Sequence, residues 1–544
     1  MRSTIKIVIL LFFICTSMSG ASFPDMEKYM RQHALIWEQL PMQWNEGAFL
    51  GNGLVGMMVY ADSTLNALVF HLGRPDVTDH RKAPYRKTSI GTEEADKMVD
   101  FCRLDVGKML LFPEGKILSG TFYLDIYNAE LTGHLKTDKG DLTFHAYTPQ
   151  PEEVNIVEVS SGVPYRWKGI PGNPCSPRIR VFPHLKEKLK YKDNPAPVVN
   201  QKDKEGSWVQ SLLAGGDYAT YWKEVPGGKS RSVLYVSTAN EVPASSLSLA
   251  KAMKTVEATQ ITGTKLLKQK TRQWWNAYHE RSFLSIPDKK LENFYFIQMY
   301  KLATCSHPDG PAMDVMGTFF KLSPWPSFWW NLNIQLTYMP IGPANRMEQG
   351  KNFQRLMDEV FPSLVRSIEP CKIGDYTWAL QNYYMYLRYA GADWQDIKQQ
   401  VVPKALDAFA VFDKILCYKE NTWHLTHIES PEYEGFQKYN DSNYGLASLS
   451  WLLQTLIACH DRTSSTHPDY ARWKEILTRL APYPTNENGL MIAANKPLEK
   501  SHRHYSHLLA FYPFRLLHPD VPENRKFLEK SIEHWLSLED GKGL

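Results

Sequence analysis

The chain has 544 residues and a formal net charge of +4, with basic and acidic residues mixed along its length. A chain of this length holds two or three domains, each with a sizeable hydrophobic core. Aromatic residues make up 12% of the sequence, which argues against intrinsic disorder, and the lack of a basic block argues against a nucleic-acid partner.

The first 21 residues predict a secretory signal peptide. Arg2 and Lys6 are basic, residues 7–14 are apolar, and residues 19–21 (Ser-Gly-Ala) supply the small side chains of a cleavage site. The apolar run is too short to span a membrane, and no later run approaches the length of a membrane span. We therefore expect an exported protein, periplasmic or extracellular, without a membrane span.

Residues 22–245 predict a domain of two packed antiparallel β-sheets. Residues 50–56 read Leu-Gly-Asn-Gly-Leu-Val-Gly and match the glycine spacing of a dinucleotide site, but β-leaning residues follow them. We expect a glycine-rich hairpin in which two backbones approach closely. Residues 183–206 are polar and rich in Lys, which predicts an excursion on the surface. Strand-like runs between turn signals occupy residues 120–126, 142–147, 154–159 and 232–237.

After about residue 246 the apolar residues recur with a helical period. Residues 246–285 predict a helical linker, and residues 286–544 predict a helical catalytic domain of the barrel type with roughly eight helices. The loops between these helices carry clusters of Trp, Asn, Glu and His, as expected where the loops at one end hold the chemistry. The clearest helical runs are residues 294–302, 376–390, 403–418, 442–460, 468–480 and 523–538.

The cysteines are scattered and predict no disulfide framework, although one or two disulfides remain compatible with their number. The sequence holds 7, of which Cys15 belongs to the predicted leader. Cys417 and Cys459 lie in apolar helical contexts, so we expect buried thiols there.

The candidate site begins with residues 427–432, which read His-Ile-Glu-Ser-Pro-Glu. Pro431 prevents a helix from running through Glu429, which predicts that Glu432 lies on a bent loop. Upstream, residues 329–333 read Trp-Trp-Asn-Leu-Asn, and downstream, residues 502–507 read His-Arg-His-Tyr-Ser-His. Aromatic rings, paired amides, a carboxylic acid and an Arg/His cluster are typical of a sugar-cleaving site. The alternative interpretation is a surface turn with two solvated acids.

Glycosidic hydrolysis requires one protonated carboxyl group and a base on the opposite face of the sugar. Desolvation beside aromatic rings is expected to keep Glu432 protonated near neutral pH, and Glu429 either shapes its field or lies on the rim. In an extended segment Asn331 and Asn333 would point the same way and hold a water or hydroxyl group; helix or turn capping is the alternative.

The three histidines His502, His504 and His507 allow a zinc site as a second interpretation. Arg503 among them would repel a cation, so contact with a sugar is favoured and no metal or cofactor is predicted. Structural packing of these histidines is the remaining alternative.

Four motifs in this order resemble glycoside hydrolase family 95, a six-hairpin glycosidase family whose founding activity is an inverting α-L-fucosidase. Residues 50–56 resemble its Leu-Gly-Asn-Gly-Arg-x-Gly block, and residues 331–335 (Asn-Leu-Asn-Ile-Gln) resemble its Asn-Ile-Asn-x-Gln segment. Residues 430–432 resemble its Ser-Pro-Glu-Asn segment, and residues 502–508 resemble its His-Arg-His-x-Ser-His-Leu segment. Leu54 and Tyr433 depart from the pattern, which has Arg and Asn at these positions.

The resemblance implies a role for each matching residue. Glu432 would be the general acid, Asn331 and Asn333 would position the attacking water and contact the sugar, and Arg503 and His504 would grip the sugar. The implied fold is an N-terminal β-super-sandwich, a linker and an (α/α)6 barrel. The implied substrate is an oligosaccharide or glycan with a non-reducing terminal α-L-fucosyl or related α-L-galactosyl residue, cleaved with inversion.

The resemblance places the base, an Asp, beyond the His-Arg-His segment, and neither Asp520 nor Asp540 has a matching context. A six-hairpin barrel needs more helices than the roughly eight predicted here, so we expect an incomplete, C-terminally truncated barrel. An inactive homologue or glycan-binding relic is therefore one alternative. A different six-hairpin glycosidase, or a phosphorylase in which phosphate replaces the activated water, is another. The sequence indicates no oligomeric state.

Overall fold

The computed structural model describes residues 25–79, 81, 102–241, 247–435 and 437–538. The predicted signal peptide lies outside these residues, and so do Asp540 and the predicted boundary between residues 245 and 246. Every helix in the described ranges is too short or insufficiently apolar to cross a bilayer.

A short helix, α1 (Met26–Arg31), precedes two antiparallel sheets. The strands are β1 (Leu35–Trp37), β2 (Ala48–Gly51), β3 (Gly56–Asp62), β4 (Ala67–Gly73), β5 (Lys108–Pro113), β6 (Ile117–Asp125), β7 (Glu130–Thr137), β8 (Asp141–Tyr147), β9 (Val154–Ser161), β10 (Tyr165–Ile170), β11 (Val198–Gln201), β12 (Glu205–Ser211), β13 (Asp217–Gly228) and β14 (Arg231–Glu241). One sheet has nine strands in the order β1-β6-β7-β8-β9-β14-β13-β12-β11, and the other has five in the order β10-β5-β4-β3-β2.

The two sheets pack face to face around an aromatic core, which confirms the predicted β-sandwich. Phe70 on β4 of the smaller sheet meets Phe144 on β8 of the larger sheet, with ring centroids 5.5 Å apart. Along β7 buried and exposed residues alternate, as in a strand with one face on the core and one in water. The four strand-like runs predicted from the sequence correspond to β6, β8, β9 and β14, and only residue 126 falls outside its strand.

The glycine-rich hairpin is also confirmed, because β2 pairs antiparallel with β3 and Gly51 lies opposite Gly56. Its glycines allow the backbone of the helical part to approach. A Cβ atom on Gly53 would lie 2.3 Å from the carbonyl carbon of Ser306, and one on Gly51 would lie 2.8 Å from the carbonyl oxygen of Thr304. The absence of side chains at these glycines therefore allows the sandwich to pack closely against the helical part.

Between β10 and β11 lie α2 (Pro177–Val181) and α3 (His184–Lys188), of which only α3 belongs to the Lys-rich excursion at residues 183–206. Most of residues 183–206 are exposed, which confirms the predicted surface excursion, but three side chains, Leu185, Tyr191 and Asn194, are buried. Tyr191 and Asn194 donate hydrogen bonds of 3.0 and 3.2 Å to Asp79, whose carboxylate is buried. The excursion is thus fixed to the sandwich by a buried acid.

Helices dominate the rest of the chain. They are α4 (Ser248–Thr262), α5 (Thr264–Glu280), α6 (Lys289–Cys305), α7 (Asn333–Tyr338), α8 (Lys351–Glu359), α9 (Phe361–Ser367), α10 (Ile373–Tyr389), α11 (Trp394–Gln400), α12 (Val402–Phe412), α13 (Asn443–Thr463), α14 (Tyr470–Thr478) and α15 (Pro522–Ser537). Short hairpins interrupt them, formed by β15 (Leu416–Lys419), β16 (Thr422–Leu425), β17 (Ile428–Glu429), β18 (Lys438–Tyr439), β19 (Thr485–Asn486) and β20 (Gly489–Leu490).

The helical prediction over residues 403–418 is wrong in its last turns, because α12 ends at Phe412 and the chain enters the β15–β16 hairpin. For the same reason Cys417 is exposed, whereas Cys459 on α13 is buried as predicted. The six cysteines in the described residues are all free thiols. Among the helices, α13 packs against α10, α11, α12 and α14, and one continuous hydrophobic core joins them.

Candidate functional site

Glu432 lies in the loop that joins β17 to β18, immediately before α13. Its backbone φ angle is +55°, in the left-handed region that non-glycine residues rarely adopt. Pro431 breaks the extended geometry, and the amide of Tyr433 donates to the carbonyl of Ser430 at 3.2 Å, which closes the turn. The bent loop predicted for Glu432 is confirmed.

Backbone strain occurs again in the segment that precedes α7. Asn331 has φ +55° and Leu332 has φ +66°. Such conformations cost about 1–3 kcal/mol each and persist where the surrounding structure holds them, often at functional sites. Two of the sequence-predicted motifs therefore carry strained residues.

The three motifs converge on one cleft, although they lie far apart in sequence. Ser430 and Ser506 share a hydrogen bond of 2.7 Å between their hydroxyl oxygens, which joins the second motif to the third. The cleft encloses about 190 Å³. We call it the candidate cleft; its lining residues are Asn331, Leu332, Trp378, Pro431, His504, Tyr505, Ser506 and Leu509.

The two amides do not act as a matched pair, so the expectation of an extended segment is wrong. The amide of Asn333 donates to the carbonyl of Asn331 at 2.8 Å, and α7 begins at Asn333. Asn331 is buried in the candidate cleft, whereas Asn333 is exposed and is not one of its lining residues. The Asn331 Oδ1 atom has no hydrogen-bond partner among the described residues and is available to a ligand.

Two basic side chains contact the Glu432 carboxylate. Arg503 donates to Oε2, and His504 Nε2 lies 3.2 Å from the same oxygen. Burial raises the pKa of Glu432, but His504 and Arg503 favour the carboxylate more strongly, so its pKa is lowered overall. The expectation that desolvation alone keeps Glu432 protonated is therefore wrong for the unliganded protein.

The histidines of the third motif have separate surroundings. His502 Nε2 donates to the carbonyl of Pro431 at 2.8 Å, and its ring stacks on His504 with centroids 5.2 Å apart. Burial lowers the pKa of His507 to about 3, so this ring is neutral. Within the described ranges, no group of three or more His, Cys, Asp or Glu side chains is arranged to hold a metal ion.

A further carboxyl group near the site was missed by the sequence reasoning. Burial raises the pKa of Asp375 to about 7, and the negative charges of Glu429 and Glu432 raise it further. The Tyr444 hydroxyl group, which donates a hydrogen bond of 2.6 Å to Oδ1, lowers this pKa. Asp375 opens α10, one turn before Trp378 of the candidate cleft. The available signal was that Asp375 is the one charged residue in α10 before Arg388.

Glu429 has its own partners and does not contact the Glu432 loop through a hydrogen bond. Burial raises its pKa, while the nearby charge of Lys372 lowers it, and the Cys371 thiol donates to Oε1 at 3.5 Å. The site thus contains a carboxylate, Glu432, and two acids with raised pKa values, Asp375 and Glu429. Carboxyl groups with opposite shifts are the arrangement required for acid–base chemistry.

Residues 371–543 match the family model for the glycosyl hydrolase family 95 catalytic domain. This part of the chain is similar to family 95 catalytic domains. It contains Glu432, Arg503 and His504, whereas Asn331 and Asn333 precede the matched range. The protein therefore carries the catalytic domain of a glycoside hydrolase, and a glycan is a fitting substrate class.

Two solved structures follow a similar course of the chain. A protein from the human microbiome assigned as a kojibiose phosphorylase is 9% identical, with a TM-score of 0.54, and the match covers 82% of this chain and 67% of that one. For a bacterial glucoamylase solved with acarbose, the identity is 9%, the TM-score is 0.47 and the coverage is 91% and 81%. The first likeness shows that the two chains share an overall fold. No curated protein matches the sequence of this chain.

Proposed function

We propose that this family 95 protein is an exported hydrolase that removes non-reducing terminal α-L-fucosyl, or related α-L-galactosyl, residues from glycans with inversion. Glu432 is the proposed general acid, and Asn331, Asn333, Arg503 and His504 are the proposed sugar and water contacts. The observation that carries the proposal is the cluster of Glu432, Arg503 and His504 beside a cleft that buries Asn331.

The lowered pKa of Glu432 fits this role if substrate binding changes its partners. In the free protein Arg503 and His504 hold the carboxylate. A sugar whose hydroxyl groups engage these two side chains removes their interaction with Glu432, and the burial of the carboxyl group then raises its pKa. Proton donation to the leaving oxygen is therefore coupled to occupation of the site.

The unpaired Oδ1 atom of Asn331 supplies an uncharged acceptor for the attacking water or for a sugar hydroxyl group. Direct attack by this water, with its proton passing to a carboxylate base and without a covalent intermediate, produces inversion at the anomeric carbon. Tyr505, a partly exposed aromatic side chain of the candidate cleft, offers an apolar surface to the C–H face of the sugar.

The first test compares the protein with its Glu432→Gln variant on two substrates. For a fucosylated oligosaccharide, whose leaving group needs protonation, we expect kcat/KM to fall by about 10²–10⁴-fold; for a nitrophenyl α-L-fucoside the loss is smaller. Proton NMR of the first product formed reports the anomer and hence inversion.

Glu434→Gln is the matched control, because Glu434 lies on the same loop, also has a positive φ and pairs with Lys496 instead. It leaves both activities unchanged. Equal activity of Glu432→Gln and the parent on the oligosaccharide would contradict the acid role. Turnover that requires inorganic phosphate would identify a phosphorylase, and glycan binding without any turnover would identify a binding protein.

A further inference from the structure

Asp375 is the one accessible residue in a long buried stretch of the chain. From Cys371 to Tyr383 every other residue is buried, whereas Asp375 is partly exposed. Acids are seldom buried unless a partner compensates them, so an accessible acid between buried neighbours marks a point where the packed helices open to water. The carboxyl group of Asp375 therefore faces a water-accessible space at the start of α10.

This opening lies at the same end of the helical part as the candidate cleft. Trp378, one turn after Asp375, lines that cleft, and the centroids of the Tyr376 and Trp330 rings are 5.1 Å apart. Trp330 immediately precedes Asn331, whose Oδ1 atom is the proposed contact of the attacking water. The first turn of α10 thus contacts the segment that holds this water.

Two uncharged groups hold Asp375 in place. The Nε2 atom of Gln335, on α7, donates to the backbone carbonyl of Asp375 at 2.8 Å, and the Tyr444 hydroxyl group, on α13, donates to Oδ1 at 2.6 Å. The other carboxyl oxygen, Oδ2, accepts no hydrogen bond from the part of the chain that the structure describes, and it is not enclosed. One oxygen is therefore fixed, and the other is available to a water molecule.

Several charged groups act on Asp375 from the elements around it. Burial raises the pKa of Asp375 most strongly, the charges of Glu429 on β17 and Glu432 on the following loop raise it further, Tyr444 and Lys372 lower it, and the result is about 7. No hydrogen bond joins Asp375 to Glu432 within the described ranges, although their charges interact. Two carboxyl groups of one site that stay apart leave room for a water and a sugar between them, as inversion requires.

We propose that Asp375 is the carboxylate base of the hydrolysis and that it acts across the sugar from Glu432. The water oxygen forms a bond to the anomeric carbon while Oδ2 of Asp375 takes one of the water protons. The bond from the anomeric carbon to the leaving oxygen breaks, its electron pair stays with that oxygen, and Glu432 protonates it. The products are the free sugar of inverted configuration, the shortened glycan, a protonated Asp375 and an ionised Glu432. The proposal rests on the proposed function, whose base it identifies.

The same proton returns to Glu432 when the next substrate binds. In the free protein, between about pH 5 and pH 7, the two carboxyl groups hold one proton, which lies on Asp375 because the pKa of Glu432 is lowered. A sugar that engages Arg503 and His504 takes these groups away from Glu432, whose pKa then rises. Glu432 takes up the proton, its negative charge no longer acts on Asp375, and Asp375 becomes ionised. Substrate binding thus produces both the acid and the base.

Glu429 is the other carboxyl group near the site, and its position argues against the same role. It lies three residues before Glu432 on the same hairpin, opposite Lys438 of β18, and its Oε1 atom accepts from the Cys371 thiol at 3.5 Å. The base has to approach from the face of the sugar opposite the acid. Asp375, which belongs to a separate helix, meets this requirement more directly than a neighbour of the acid on one hairpin.

The first test measures kcat/KM of Asp375→Asn with a fucosylated oligosaccharide and with a nitrophenyl α-L-fucoside. Loss of the base is expected to lower both values by about 10²–10⁴-fold, because the water must be deprotonated whichever group leaves. Loss of the acid in Glu432→Gln affects mainly the oligosaccharide. Asp358→Asn is the matched control, since Asp358 also accepts a hydrogen bond from a tyrosine, Tyr383 at 2.5 Å, but lies on α8 outside the candidate cleft. It leaves both values unchanged.

Azide distinguishes a base from a group that only supports the fold. In Asp375→Ala space replaces the carboxylate, and azide ion, which needs no deprotonation, can attack the anomeric carbon there. The carbon–nitrogen bond forms, nitrophenolate leaves with its electron pair, and the product is the fucosyl azide of inverted configuration. We expect azide to raise nitrophenol release by about tenfold or more in Asp375→Ala and not in the parent or in Asp358→Asn. No rescue in folded Asp375→Ala, or rescue in Glu429→Ala instead, would overturn the proposal.

The pH dependence of kcat/KM gives a second readout, which a purely structural role would not change. With the nitrophenyl fucoside, whose departure needs no acid, we expect kcat/KM to rise about tenfold per pH unit up to about pH 7 and to level off above it, because Asp375 loses its proton there. Tyr444→Phe removes a hydrogen bond that lowers the pKa of Asp375, so the rise shifts to higher pH. A rise that stays in place in Tyr444→Phe contradicts the assignment.

The proposed function and the assignment of the base fail separately. If the parent hydrolyses a different nitrophenyl glycoside and not the fucoside, the proposed substrate is wrong, and the variants and the azide assay decide the base with that glycoside. If the parent hydrolyses none of them, the assignment of the base falls together with the proposed function. Hydrolysis of the fucoside with full activity in Asp375→Asn overturns the assignment of the base alone.

Discussion

At the scale of single residues, the site depends on carboxyl groups whose ionisation is set by opposing influences. Burial acts on Glu432 and Asp375 in the same direction, since it disfavours the charged form of both. The outcome differs because two basic side chains contact Glu432, whereas a neutral phenol contacts Asp375. Two acids near one site thus have pKa values shifted in opposite directions.

The raised pKa of Asp375 makes the stability of the protein depend on pH. Its folded value is about 7, and its ordinary value is near 4, so between these limits the folded state binds more protons than the unfolded state. The stabilisation from this group is complete below about pH 4 and is lost as the pH rises to about 7. Above pH 7 its contribution no longer changes.

Asp375→Asn removes this dependence and keeps an acceptor for the Tyr444 hydroxyl group. As the pH rises from 5 to 8, we expect the parent to lose about 2–3 kcal/mol of unfolding free energy relative to the variant. Urea unfolding at several pH values measures the difference. Asp309→Asn, at a side chain that is 86% exposed, is the control and should follow the parent. Parallel curves for Asp375→Asn and the parent would contradict the raised pKa.

The sequence motifs predicted the convergence of Glu432, Arg503, His504 and Asn331, because each motif has an unusual composition. They did not predict the direction of the Glu432 pKa shift. That direction is the sum of a burial effect and two charge effects, and it depends on distances that a linear sequence does not contain. Asp375 was missed since it stands alone in an apolar helix, where a single acid is more often a helix-start residue.

At the scale of secondary-structure elements, the joint between α10 and α13 positions the Asp375 pair. Tyr444 lies in the first turn of α13, and Gly374 lies next to Asp375 in the first turn of α10. A Cβ atom on Gly374 would be 2.3 Å from the Tyr444 ring. The absence of a side chain at Gly374 therefore allows the phenol to reach Asp375.

Gly374→Ala should destabilise the protein by about 1–3 kcal/mol, because an added methyl group in a packed contact forces its neighbours apart. Helix propensity alone would predict the opposite sign, a gain of about 1 kcal/mol. Denaturant unfolding decides between these effects. Gly227→Ala is the control, since the nearest atom to its added Cβ would be 3.5 Å away. A stability of Gly374→Ala equal to or above that of the parent would contradict the close contact.

Elements with a strong period were predicted from the sequence, and the failures have a local cause. The runs at residues 142–147 and 442–460 correspond to β8 and α13 because alternation and helical spacing are sustained there. The run at residues 403–418 continues to look apolar past Phe412, although the chain turns into β15. Short apolar runs do not distinguish a final helical turn from a strand, so tertiary packing decides.

At the scale of the whole molecule, the sandwich and the helical part meet at the segment that leads into the candidate site. Arg103 donates to the carbonyl of Gly317 at 2.6 Å and pairs with Asp314 at 3.1 Å. Its own amide donates to the carbonyl of Pro326 at 2.6 Å. The sandwich thus holds the irregular chain between α6 and α7, which no sequence period predicted.

Arg178, on α2, makes the second such contact. Its guanidinium group donates to the carbonyl of Pro324 and lies 5.1 Å from the centroid of the Trp325 ring. The Trp325 ring in turn meets Trp329, with centroids 4.9 Å apart, and Trp329 is two residues before Asn331. A short helix between two strands of the sandwich therefore supports the segment that leads to Asn331, the residue proposed to hold the attacking water.

Arg178→Ala should loosen this segment and reduce kcat/KM by about 10–100-fold, since small displacements of positioning groups have effects of this size. Hydrogen exchange in residues 321–330 should become faster in the variant. Arg166→Ala is the matched control, because Arg166 also lies over an aromatic ring, that of Phe112, but within the sandwich. Unchanged exchange in Arg178→Ala would mean that the helical part orders this segment unaided. Faster exchange with full activity would mean that the position of Asn331 does not depend on the sandwich.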